Sequence, residues 1–78
     1  MKLPPGAGHE RVVRLIERLG YRLVRQTGSH MQFVHSGPPE HHLSVPRHRV
    51  VRIGTLHSIL SDVADHLKMD MDDLIRQL

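Results

Sequence analysis

The chain has 78 residues, no cysteine, eight histidines and a formal net charge of +3, which bounds it to one small domain with a thin core. The lack of cysteine excludes a disulfide framework and a thiolate metal site and fits a reducing compartment. No apolar run approaches the roughly 20 residues that a membrane helix needs, and no signal-peptide pattern opens the chain, so a cytoplasmic location is expected.

Residues 1–8 contain Pro4, Pro5, Gly6 and Gly8 and are expected to form a flexible extension of a single domain spanning 1–78. Residues 9–19 predict a helix, with Val12, Val13, Leu15, Ile16 and Leu19 on one stripe and Arg11, Arg14 and Arg18 opposite. Gly20 suits the position just past its end. Residues 21–26 alternate: Tyr21 and Leu23 point one way, Arg22 and Val24 the other.

Next comes Thr27-Gly28-Ser29, then a second alternating run over 30–35, with Met31 and Phe33 set against His30, Gln32 and Val34. The letters Gly-Ser-His-Met look like the remnant of a cleaved tag, but they lie inside the chain between two strand-like segments, and so read as a hairpin turn. Ser36-Gly37-Pro38-Pro39 breaks the pattern, and His41 to Val45 predict a third strand with Leu43 and Val45 inward, ended by Pro46.

Residues 47–52 form a basic loop. A second amphipathic helix is expected from Gly54-Thr55, with Thr55 as N-cap and Leu56, Ile59, Leu60, Val63 and Leu67 as its stripe. Asp70 suits the N-cap of a short last helix carrying Met71, Leu74, Ile75 and Leu78. The order α-β-β-β-α plus a short C-terminal helix predicts an α+β two-layer sandwich, with a three-stranded antiparallel sheet covered on one face by helices. The other sheet face is left to solvent or a ligand.

Charge divides along the chain. Residues 1–61 hold nine Lys/Arg against three acids, and residues 62–78 two against five. A basic body with an acidic tail suits a polyanion met by the body; a solvated surface with chance asymmetry is the plainer alternative. Strand parity puts His30 on the face away from the core. RNA carries its own nucleophile, the 2′-hydroxyl. A ribonuclease therefore needs a base, an acid and cations for the developing phosphorane charge, and no metal. By spacing alone His30 is equally an ordinary exposed strand histidine. Arg47, His48, Arg49 and Arg52 lie between a strand end and a helix start, where anions are favoured. A zinc site is not expected: His41 and His42 point to opposite faces of a strand, and the pair Asp62–His66 is solitary.

Two motifs carry a family resemblance. The segment YRLVRQTGSHMQFVH is similar to the strand–turn–strand built around Gly-Ser-His in the HicA (YcfA-like) mRNA interferase toxins of type II toxin–antitoxin systems. The segment LSVPRHRVVRIGTLHSIL resembles their Val-Pro-x-His loop followed by Gly-Thr-Leu-x-x-Ile-Leu. The resemblance covers residues 9–78. It implies a double-stranded-RNA-binding-domain-like fold, metal-independent endoribonuclease activity on mRNA, no cofactor, and a HicB-type antitoxin that covers the active site.

It also implies that His30 is the catalytic histidine, with Gly28 and Ser29 shaping its turn. Arg22, Arg25, Arg47, Arg49 and Arg52 are then expected RNA contacts, with His48 a secondary contact and His35 a weaker candidate. Many relatives carry a second histidine where this chain has Met31. A non-catalytic RNA-binding module on the same fold is the alternative, and a degenerate toxin kept as a partner-binding scaffold a third reading.

Overall fold

The computed structural model describes residues 2–78. Its elements are α1 (His9–Arg18), β1 (Tyr21–Thr27), β2 (His30–His35), β3 (His41–Pro46), α2 (Ile53–Leu67) and α3 (Met71–Gln77). The sheet is antiparallel in the order β1-β2-β3. The helices cover one face, so the molecule is the expected two-layer α+β sandwich and only 18 Å deep along its shortest axis.

The predicted apolar stripes meet between the layers. Val12, Leu15 and Ile16 of α1, Leu56, Ile59, Leu60 and Val63 of α2, and Leu74 of α3 are buried against Met31, Phe33, Leu43 and Val45 of the sheet. Ala7 and Val51 join this core from outside the regular elements, and the Val51 N–H donates to the Ala7 carbonyl at 2.8 Å. The end of the N-terminal extension thus holds the basic loop down onto the domain.

Strand β1 departs from simple alternation. Its pairing with β2 slips between Leu23 and Arg25, a bulge at Val24. Alternation from Tyr21 would turn Arg25 toward the helices; the extra residue turns it back, opposite Gln32 on the open face. Leu23 faces inward opposite Phe33 but stays 48% exposed, because β1 is an edge strand at the rim of the helical cover.

Helix α2 is capped three residues earlier than the sequence predicts. Its N-cap is Arg52, which makes no side-chain capping bond, and Thr55 lies inside the first turn. The helix gains its register from Leu56, fully buried below that turn, rather than from a capping hydroxyl. At α3 the prediction holds: the Asp70 carboxylate accepts from the Asp72 N–H at 2.8 Å. Arg18 and Arg11 of α1 donate to the carbonyls of Gln77 and Leu78, binding unsatisfied carbonyls at the end of α3.

Candidate active site

The open face of the sheet carries three cross-strand rows: Arg22–Val34–His42, Arg25–Gln32–Ser44 and Thr27–His30–Pro46. Gln32 donates to the Ser44 hydroxyl at 3.4 Å. His30 is exposed at the end of the last row, next to the hairpin turn. That turn is a two-residue loop in which Gly28 has φ +59 and Ser29 does not share the positive sign. This is the pattern of a II′ turn, which wants glycine first. The Ser29 carbonyl accepts from the Arg47 N–H at 2.6 Å, so the turn and the basic loop are tied together.

The tie makes one groove. A cavity of about 350 Å³ is lined by His30, Ser44, Pro46, His48, Arg52 and Thr55. Two imidazoles from segments 18 positions apart thus share a wall-to-wall opening with a guanidinium and two hydroxyls. The groove ends at the start of α2. The first amide N–H groups of a helix have no partner within it, and here no capping side chain takes them. They add fixed positive potential beside Arg52, a potential that favours an anion there.

The sequence profile described as HicA toxin of bacterial toxin–antitoxin matches residues 10–64. The chain belongs to the HicA toxin family. The HicA match runs from the first turn of α1 to the last turns of α2 and takes in the hairpin, the basic loop and every residue lining the groove. The protein is therefore a toxin of a toxin–antitoxin system, and an antitoxin is its partner. No curated protein and no solved structure matches the chain.

Within this HicA toxin the expected site residues fall into four places. His30, His48 and Arg52 line the groove, with Gly28 and Ser29 in the adjoining turn and Arg47 bonded to it. Arg22 and Arg25 project from β1 on the same open face. Arg49 is elsewhere: it lines a separate groove with Gly8, His9, Glu10, Arg11 and Arg14. Ser44 and Thr55 were not singled out as site residues from sequence. Ser44 shares strand parity with His42 on the outward face, a usable signal, whereas Thr55 reads as a capping residue.

His35 lies apart from the groove, on the helix-covered face, in a cluster that joins all three strands to α2. Its row pairs Tyr21, His35 and His41. The Tyr21 hydroxyl donates to His41 Nδ1 at 2.7 Å, and His41 Nε2–H donates to the Asp62 carboxylate at 3.2 Å. The Gly37 N–H donates to His35 Nδ1 at 3.1 Å, and His66 Nε2 lies 3.2 Å from the same nitrogen. The rings of His41 and His66 stack at 4.4 Å.

Burial, then the charge of Asp62, pushes the Tyr21 phenol up to about 12. Burial first, then His41 and His35, hold His66 below the usual imidazole range, with Asp62 opposing. Among the described residues no group of three or more His, Asp or Glu is arranged to hold a metal ion. Among them, too, no helix is long and apolar enough to cross a membrane.

Proposed function

We propose that this HicA toxin is a metal-independent endoribonuclease that cleaves mRNA and so blocks translation, with His30 and His48 as its acid–base pair. The supporting observation is that these two histidines, Arg52 and the uncapped start of α2 converge on one open groove. In this reading one imidazole takes the proton from the 2′-hydroxyl as that oxygen attacks phosphorus. The P–O5′ bond then breaks, and the other imidazole, protonated, gives its proton to the leaving 5′-oxygen. The products are a 2′,3′-cyclic phosphate and a 5′-hydroxyl.

Arg52 and the first amides of α2 face the charge that builds on the equatorial oxygens. Arg22, Arg25 and Arg47 bind flanking phosphates, while Gly28 and Ser29 hold His30 at the groove mouth. The reaction needs no metal because the nucleophile belongs to the substrate. The antitoxin is of HicB type and covers this groove, and the toxin works in the cytoplasm, where mRNA is.

The test is cleavage of a labelled mRNA fragment by purified wild type, His30→Ala and His48→Ala. Each variant should lower kcat by about 10²–10⁴, the wild-type pH profile should be bell-shaped, and EDTA should leave the rate unchanged. Wild-type protein that shifts the RNA in a gel and leaves it intact would make the domain a non-catalytic RNA binder. A His30→Ala variant as active as wild type would remove His30 from the mechanism.

A further inference from the structure

Loop residues His48 and Arg49 are neighbours in sequence, yet they line two different grooves. The loop is held in that posture at its backbone. The His9 N–H and its Nδ1–H both donate to the His48 carbonyl, at 3.0 and 2.8 Å. Gly8 lies so close to the Arg49 carbonyl that a Cβ there would collide with it. The chain around Gly8 thus fixes a ridge with His48 on one side and Arg49 on the other.

The second groove, about 330 Å³, gathers three guanidinium groups, Arg11, Arg14 and Arg49, beside Glu10. Arg11 donates to the Leu78 carbonyl. The side chains of Arg14 and Arg49 have no hydrogen-bond or ion-pair partner among the described residues, and Glu10 does not pair with them. Of all the arginines described, only Arg76 is in an ion pair, with Asp73. Three cations against the single carboxylate of Glu10, which pairs with none of them, leave an excess of positive charge, and a phosphate relieves that repulsion while meeting the planar fork of a guanidinium.

We infer that this groove is a second phosphate-binding site for the RNA, reached by the same strand after it crosses the loop from the His30 groove. Arg14 and Arg49 grip the backbone there, away from the scissile bond. The site therefore supplies binding and no chemistry, and it favours RNA long enough to span the ridge. The inference rests on the ribonuclease reading above.

The test uses the full chain and a single-stranded RNA that the wild type cleaves. Arg14→Gln should raise KM about tenfold and leave kcat unchanged, as loss of uniform binding does, and Arg14→Glu should raise it further. The slope of log K against log salt should fall by ~0.7 for this one lost contact. Arg49→Gln should act in the same direction on binding. Arg14 is exposed and unpartnered, so an unchanged Tm is expected and would show that folding is not the cause.

Unaltered KM and salt slope in the Arg14 variants would overturn the inference while the ribonuclease reading stood. Weakened antitoxin binding with unaltered RNA cleavage would also overturn it, by assigning the groove to the protein partner. A wild type that neither binds nor cleaves RNA would fail the ribonuclease reading and take this inference with it.

Discussion

A histidine's neighbours decide what it does, and five of the eight here fall into two sets. His30 and His48 stand in an open groove with one guanidinium and two hydroxyls. His35, His41 and His66 pack on one another against Tyr21, with Asp62 as the carboxylate bonded to the cluster. This cluster predicts how stability varies with pH. His66 has a lowered pKa in the fold, so the unfolded chain binds its proton first as pH falls. The stability that neutral His66 provides is complete above about pH 6.5. It is lost as pH falls from there through the lowered folded value.

Tyr21 acts at the other end. Its raised pKa of about 12 means that stability is complete below about pH 10 and is lost as pH rises from there toward 12. Tm measured across this range should show a shoulder on each side. In His66→Gln the acid shoulder should shrink, and in Tyr21→Phe the alkaline one should vanish. An acid limb unchanged in His66→Gln would show that other groups govern it.

Elements follow from local signals where those signals are unopposed. The start of α3 is the plain case: Asp70 caps it, Asp72 and Asp73 follow in its first turn, and Leu74 is fully buried. Asp70→Ala should cost about 1 kcal/mol, read as a lower urea midpoint at constant m-value; a midpoint unchanged within error would mean that the carbonyl contacts from Arg11 and Arg18 hold α3 without its cap. The start of α2 is the opposite case. Thr55 has the right chemistry for a cap, and the helix passes it by because Leu56 must reach the core. Burial of one leucine, about 2 kcal/mol, outweighs the roughly 1 kcal/mol of a capping hydroxyl. In β1, alternation was legible up to Leu23 and misleading after it. A bulge leaves no local signature, yet it decides whether Arg25 faces the helices or the open sheet.

At the scale of the whole molecule, the core positions the site. Val50 and Val51 are adjacent and chemically identical, but Val51 is 1% exposed and Val50 is 53% exposed. Val51 anchors the loop that carries His48, Arg49 and Arg52. Val51→Ala should destabilise the domain by about 2 kcal/mol and, on the proposed ribonuclease reading, lower RNA cleavage under conditions where the protein is still folded, because the loop loses its seat. Val50→Ala should change neither. If Val51→Ala loses stability and keeps full activity, the loop is held well enough by its backbone bonds with Ala7 and His9.

The sequence by itself determined the order of the elements, the apolar faces of α1 and α2, the hairpin turn at Gly28-Ser29 and the outward parity of His30. Each of these follows from a repeat of two or 3.6 residues, or from the chemistry of one or two adjacent side chains, and needs no knowledge of distant segments. The motifs around His30 and the basic loop were enough to suggest the HicA family as well. Only the tertiary structure decided that His48 and Arg52 join His30, that Arg49 turns away to Arg11 and Arg14, and that His35, His41 and His66 form a cluster with Tyr21. Most of the contacts behind those groupings join residues 14 to 45 positions apart. Two side chains at such separations share no local pattern, and the packing of the two layers is what brings them together.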